Sequence, residues 1–480
     1  MFRRPLIEKH RLRSSLSAVR CLHIQGPYPP HLYELSLLAD KCTSMRELQQ
    51  IHAQMIISAT IQDNFAASRL LSFSALSPHG DLIYASKLLT SAQPPNMFMW
   101  NTLIRGLASS PDPNEALFLY IKMRRIGVTP GKHTFPFLLK ACSNLQSLRS
   151  CKQVHTQVIK FGLDLDSHVV NSLIRVYSVS SSLKHARQVF DEFPNRNVNI
   201  WTTMICGSAQ NDSAEDALLL FNEMVAQKFE PSGPSLSSVL SVCAQSGCLD
   251  IGEKIHKHIK EKGLETGVIL GTALVNMYAK NGALLMAQNC FNNMPQKNIV
   301  TWNAMISGLA VHGHAKEALK YFQDLEKHHV VPNDRTFVGV LSACCHAGML
   351  EFGWSLFNSM KSVYGIDPKI QHYGCMVDLL GRGGRVLEAE ELIKVMPWKA
   401  DLKIWGALLS ACGSHGNIEV GERVVKEMIL LDPDNHGFYV VLSNMYAEVG
   451  RWEDVSRMRG IIKNGSLQKT PGWSLVGGGD

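Results

Sequence analysis

The chain has 480 residues and a formal net charge of +7, from 48 Lys and Arg against 41 Asp and Glu. That length is too great for one compact core. Although 45% of the residues are hydrophobic, no apolar run is long enough to cross a bilayer, so a helical membrane protein is excluded and no membrane partner is expected. The modest positive charge suits a polyanionic partner without demanding one.

Residues 1–31 carry Arg3, Arg4, Lys9, Arg11, Arg13 and Arg20 against one acid, Glu8, with serines between them. This is the composition of an organellar transit peptide, mitochondrial in preference to chloroplast. A disordered basic tail is the competing reading.

From about Leu32 the chain is periodic. Trp100, Trp201 and Trp302 stand 101 residues apart, as do Cys142, Cys243 and Cys344. Ala116, Ala217 and Ala318 keep the same interval, and so do Pro130, Pro231 and Pro332. Four registers of different chemistry sharing one period mark an internal repeat. The first unit divides into segments of 35, 35 and 31 residues beginning at Met97, Lys132 and Ser167. The second divides at Val198, Gly233 and Val268, and the third at Ile299, Asp334 and Ile370. Upstream, Cys42 and His52 match Cys142 and His155, so a partial unit comes first.

Each segment reads as two helices and a turn. In the segment from Met97, "WNTLIRGLA" supplies one helix and "EALFLYIKMRRIG" the next, with Pro130 as the stop. Leu103 and Leu107, then Ala116, Tyr120 and Met123, recur at three- and four-residue intervals and give one apolar stripe per helix. The small Ala116, Ala217 and Ala318 would let helices approach closely. A single pair cannot bury such a stripe, but stacked pairs can, and strand patterns are absent. The expected fold is therefore all-α, an α-solenoid of stacked helix-turn-helix repeats.

Twelve cysteines raise the question of metal or disulfides, but there is no C-x-x-C. Cys42, Cys142, Cys243 and Cys344 share one register, as small apolar packing residues would. His52, His155 and His256 share another and are read as buried or capping imidazoles in preference to ligands. No metal and no cofactor is expected.

The stretch "FMWNTLIRGLASSPDPNEALFLYIKMRRIGVTPGKHTFPFLLKACS" resembles the pentatricopeptide repeat family of land plants. The alternating lengths resemble its subclass with long and short repeat variants. Residues 372–397, "HYGCMVDLLGRGGRVLEAEELIKVMP", resemble that subclass's last short repeat, and residues 404–459 resemble its two C-terminal extension motifs. The resemblance runs from about residue 32 to 474. It implies an array over 32–401 (about 11 repeats), an extension over 402–470 and a tail over 471–480. It also implies that the pairs coil into a right-handed superhelix carrying single-stranded RNA on its concave face, one base per repeat.

By the same resemblance the base is read by the fifth residue of a repeat together with the last. Thr272 with Asn298 would prefer adenine; Asn303 with Asn333, and Asn171 with Asn197, a pyrimidine, cytosine first. Ser68 with Asn96 and Thr202 with Ser232 lean towards a purine. Asn101 departs from the pattern because its repeat ends at Gly131. Pro136 with Asp166, Ser237 with Gly267, Val338 with Lys369 and Gly374 with Asp401 are poor readers. The second residue would wedge between bases: Val300 and Ile269 fit as aliphatic spacers and Phe98 as a stacking platform, while Asn199 and Gln371 do not. The same residue types are favoured as helix caps and in turns. Capping is thus the competing reading for each residue alone, and the register repeated along the array favours RNA.

The resembled subclass serves cytidine-to-uridine editing of organellar transcripts, in some members through a C-terminal zinc deaminase. That chemistry needs H-x-E and C-x-x-C. None of the 19 histidines is followed two residues later by Glu, and the chain stops at "KTPGWSLVGGGD", where such a domain would begin. No phosphate loop, H-E-x-x-H or dinucleotide motif occurs either, and "GRGGR" (381–385) reads as a turn. No catalytic residue is assigned. The expected role is a site-recognition factor whose extension recruits a deaminase and other editing factors in trans. Tyr439, Tyr446 and Trp452 in that extension are read as core aromatics in preference to partner contacts. An RNA binder for splicing, stability or translation is the first alternative, and a protein–protein scaffold the second.

Overall fold

The computed structural model describes residues 30–464 apart from 93, 434 and 436. The expected transit peptide, save its last two residues, and the tail lie outside the described residues. Those residues form 26 α-helices and one short 3-10 turn at Thr60–Gln62, and include no strand. Two compact units divide at Ser235 and Leu236.

The first unit runs α1 (Pro30–Asp40), α2 (Met45–Ile57), α3 (Asn64–Leu76), α4 (Leu82–Ser91), α5 (Met97–Ala108), α6 (Asn114–Arg125), α7 (Thr134–Asn144), α8 (Leu148–Lys160), α9 (Ser167–Val179), α10 (Leu183–Glu192), α11 (Val198–Gln210) and α12 (Ala214–Ala226). Helix α13 (Gly233–Ser246) spans the division. The second unit continues with α14 (Leu249–Glu261), α15 (Val268–Lys280), α16 (Leu284–Asn293), α17 (Ile299–Val311), α18 (Ala315–Lys327), α19 (Asp334–Ala347), α20 (Leu350–Ser362), α21 (Ile370–Arg382), α22 (Val386–Val395), α23 (Leu402–Ser414), α24 (Ile418–Leu431), α25 (Gly437–Glu448) and α26 (Trp452–Asn464).

Odd-numbered helices open repeats and even-numbered ones close them. In the first unit α3, α5, α7, α9 and α11 pack on one another in succession, each also against its own partner. In the second unit α15, α17, α19, α21 and α23 do the same. Each unit is thus the stacked helix-turn-helix solenoid that the period predicts. The stripe residues form the core: Trp100, Trp201 and Trp302, and Ala116, Ala217 and Ala318, are all buried. Trp201 and Trp302 meet Phe190 and Phe291 edge-on, each pair 4.8 Å between ring centres. Packing two aromatic edges this way adds stability beyond the area buried.

Cys142, Cys243 and Cys344 are fully buried packing residues. Burial pushes the Cys243 thiol up to about 12 and that of Cys344 up to about 11, so they stay neutral. His256 is buried and His155 half-buried, and they bond the Tyr278 and Tyr177 hydroxyls at 2.8 and 3.0 Å; half-buried His52 bonds Tyr84 in the same way. The histidines match their expectation, and so do three of the four cysteines; Cys42, in the partial first unit, is only half-buried.

Three local expectations are corrected. Helix α6 ends at Arg125, well before Pro130. Gly127, with φ +85, takes the left-handed turn there, and the Val128 N–H donates back to the Met123 carbonyl at 3.1 Å. A residue without a Cβ reaches that geometry without strain, so the glycine stops the helix first. In "GRGGR", Gly381 and Arg382 still belong to α21, and the turn begins at Gly383. In the extension Tyr446 is buried and donates to Glu422 Oε1 at 2.8 Å, but Trp452 is 65% exposed. Trp452 begins α26, where the first turn faces solvent, and Tyr439 is half-buried while its neighbour Phe438 is buried.

Candidate nucleic-acid interface

The last residue of a repeat immediately precedes the first helix of the next, and this decides its side-chain geometry. Asn96, Asn197, Asn298 and Asn333 each cap the following helix: Oδ1 accepts the N–H of Met99, Ile200, Thr301 and Thr336 at 2.9, 3.1, 3.0 and 3.1 Å. Asp166 and Asp401 do the same for Val169 and Ile404. The first turns of a helix leave N–H groups without internal partners, and a short amide or carboxylate at this place supplies them. Capping and reading are therefore compatible in an asparagine. Its carbonyl oxygen is engaged by the helix, and its amino group remains beside the repeat edge.

The fifth residue lies one turn into the first helix and is brought to the same edge. Thr202 and Ser232 share a hydroxyl–hydroxyl bond of 2.8 Å. Asn303 Nδ2 donates to Asn333 Oδ1 at 3.0 Å. Thr272 reaches Asn298 through one intermediary: its hydroxyl lies 2.6 Å from that of Thr301, which also bonds Asn298 Oδ1. Ser68 and Asn96 line one cavity of about 430 Å³ with Phe98 and Arg69. Ser68 itself is only 5% exposed, and its hydroxyl donates to the Phe65 carbonyl in its own helix. Asn171 has a buried Oδ1 without a hydrogen-bond partner. Asn101 accepts from the Thr134 hydroxyl at 2.8 Å, although its repeat ends in Gly131.

Second residues stand at this edge without core duty. Phe98 and Val300 are each 54% exposed and Ile269 is 77% exposed. These large apolar side chains form no part of the core and leave an apolar surface at the second-residue register of three repeats. Asn199 and Gln371 are exposed in the same register. The expected poor reader Lys369 pairs with Asp334 at 2.6 Å, which pulls the Asp334 carboxyl below its ordinary value.

Sequence reasoning missed the third residue of the repeat. Thr134, Thr301, Thr336 and Ser235 are fully buried and bond to the fifth or last residues of the preceding repeat. The signal was available, because Thr134, Ser235 and Thr336 keep the 101-residue interval.

Fold and edge together define a class: an α-solenoid that repeats polar side chains at its helix starts and offers apolar side chains between them. Comparison with known proteins makes this specific. Residues 95–144 and 297–346 match the PPR repeat family. Residues 168–198, 200–229, 272–299, 335–363 and 372–399 match the PPR repeat, and residues 219–281 the pentatricopeptide repeat domain. Residues 415–477 match the E motif. The pentatricopeptide repeat-containing protein At5g56310 of Arabidopsis thaliana is 38% identical over 90% of this chain and 88% of its own length. Two others from that plant are each 33% identical over 92% of this chain: At1g08070, chloroplastic, across 78% of its length, and At2g22410, mitochondrial, across 85%. The chain belongs to the pentatricopeptide repeat family and carries the E motif. The crystal structure of the pentatricopeptide repeat protein PPR10 in complex with an 18-nt psaJ RNA element has the same fold, with TM-score 0.70 and 16% identity, covering 96% of this chain and 72% of that one.

Proposed function

We propose that this protein binds single-stranded organellar RNA with base selectivity and marks sites for cytidine-to-uridine editing, with the deaminase recruited in trans. The observation that carries the RNA reading is the edge itself. Fifth and last residues converge at the starts of the first helices, as in Asn303 with Asn333 and Thr202 with Ser232, and exposed Phe98, Ile269 and Val300 stand between successive pairs. Unpaired bases offer both things that such an edge can use, a hydrogen-bonding rim and a flat face. The named relatives and the PPR10–RNA complex support the same class of ligand.

The editing role is supported by the E motif at residues 415–477, C-terminal to the last matched repeat at 372–399. The organelle is supported by relatives named as chloroplastic and mitochondrial, and the basic N-terminal segment favours the mitochondrion. Asn101, Asn171, Asn197, Ser68, Asn96, Thr202, Ser232, Thr272, Asn298, Asn303 and Asn333 are the proposed RNA-contacting residues.

Sequencing organellar transcripts from a line lacking this protein tests the role. Loss of editing at one or a few cytidines is the expected result. Normal editing at every site, with altered abundance or splicing of one transcript, would replace editing with an RNA-processing role. Failure of the purified chain to bind any single-stranded RNA would leave only a protein scaffold.

A further inference from the structure

Thr134, Ser235, Thr301 and Thr336, each the third residue of a repeat, show no exposure to solvent. Ile200 and Met99 fill the same place in other repeats and are equally buried. Burial alone therefore does not require a hydroxyl here, and a buried hydroxyl is costly unless its hydrogen bonds are met.

The bonds around Thr336 form a connected chain, in which the hydroxyl lies 2.7 Å from Asn303 Oδ1 and 3.1 Å from Asn333 Oδ1, the shorter contact being to Asn303. The Thr336 N–H donates to Asn333 Oδ1, which makes that atom the cap oxygen. Asn303 must then face it with its amino group, and Nδ2 does so at 3.0 Å. Asn303 Oδ1 is thereby turned to Thr336, whose hydroxyl donates to it at 2.7 Å while accepting the Asn333 N–H at 3.0 Å. Around Asn101 the arrangement repeats: Thr134 accepts the Gly131 N–H and donates to Asn101 Oδ1. The Thr301 hydroxyl also meets a fifth residue, lying 2.6 Å from the Thr272 hydroxyl in a bond that either can donate, while it donates to Asn298 Oδ1. Where the third residue is Ile200, Asn171 Oδ1 is buried without a partner. Where it is Met99, the Ser68 hydroxyl turns back into its own helix.

We infer that the hydroxyl at the third position of a repeat sets the base selectivity of the repeat before it, by tethering the fifth-position side chain in one hydrogen-bonding orientation. This rests on the RNA reading proposed above. A tethered Asn303 presents one remaining N–H and one remaining lone pair in fixed order. Cytosine offers an acceptor at N3 beside an amino donor, and uracil a donor at N3 beside a carbonyl acceptor. Turning an amide over exchanges the two patterns, so holding it still separates the two bases. Thr336, Thr134 and Thr301 are positioning residues that touch no RNA, and Asn171 is a reader left free to turn over.

The test uses the full chain and a randomised single-stranded RNA pool, with enrichment read at every nucleotide and thermal melting followed alongside. Thr336→Val keeps the side-chain shape and removes the hydroxyl. It should lower the cytosine-to-uracil ratio at the nucleotide read by Asn303 about threefold to tenfold, the worth of one hydrogen bond, and leave other nucleotides as they are. Thr336→Ser should restore the ratio. Ile200→Thr should raise the ratio at the nucleotide read by Asn171, a gain that no loss of packing can produce, and it decides the matter alone if Thr336→Val does not fold. An unchanged ratio in either folded variant overturns the tether, as does a uniform loss at all nucleotides. A wild-type chain with no base preference overturns the RNA reading and the tether together, whereas a selective wild type with indifferent variants overturns only the tether.

Discussion

Arg423 in α24 holds Glu390 in α22 with two hydrogen bonds, Nε to Oε1 at 2.8 Å and a terminal nitrogen to Oε2 at 2.7 Å. Glu390 is 6% exposed. The pair joins the last repeat to the first helix pair of the extension, so the extension is fixed to the array by a directional, charge-assisted contact. Arg423 holds the Glu390 carboxyl below its ordinary value. Arg423→Gln is expected to lower stability by about 1–2 kcal/mol; the half-exposed guanidinium keeps the loss below that of a fully buried pair. The contribution is present in full above the unfolded carboxyl's value and is lost as pH falls through the lower folded one. Melting curves of wild type and variant should therefore converge in acid.

The three His–Tyr pairs make stability depend on pH in the range above that. Burial holds His52, His155 and His256 below the ordinary imidazole value of 6.5. The unfolded chain binds protons there before the folded one does. Stability is thus unaffected above 6.5 and falls as pH drops through the folded values. Replacing all three with Gln should flatten the fall in melting temperature as pH drops below 6.5.

Gly106, Gly207 and Gly308 also keep the 101-residue interval, and each lies where a first helix meets the one before it. A Cβ on Gly308 would collide with the Cβ of Ala279, and one on Gly207 with the Ser178 side chain. Gly308→Ala should destabilise the protein by about 1–3 kcal/mol by forcing those helices apart, despite alanine's better helix propensity. Denaturant unfolding would show it, and a more stable variant would contradict the close packing.

Asn298→Asp separates capping from reading. Aspartate caps α17 as well as asparagine does, so melting should be nearly unchanged. The group left beside the edge changes from an amino donor to an acceptor, which suits guanine N1–H where the amide suited adenine N1. Selectivity of that repeat should shift from adenine towards guanine by about tenfold in binding ratio, measured on RNAs differing at that single nucleotide.

Much of the edge was legible because the proposed reading positions sit at helix starts, where residue type follows from backbone chemistry. Asn298 and Asn333 were recognisable as edge residues for that reason. The tethers were not, since Thr301 and Thr336 act on residues roughly a repeat's length away in the chain and read locally as ordinary helix-start threonines. Trp452 was misread because a hydrophobic residue at a helix start does not reveal which way its first turn faces.

The sequence by itself determined the repeat, its period, the helix pairs and the family, since periodic burial and end-capping are properties of neighbouring residues. Only the tertiary structure decided which side chains meet across repeats: Asn303 with Thr336, Glu390 with Arg423, Gly308 with Ala279. Those contacts depend on the rotation and spacing of one helix pair against the next, quantities set by the packed core as a whole and written at no single position of the chain.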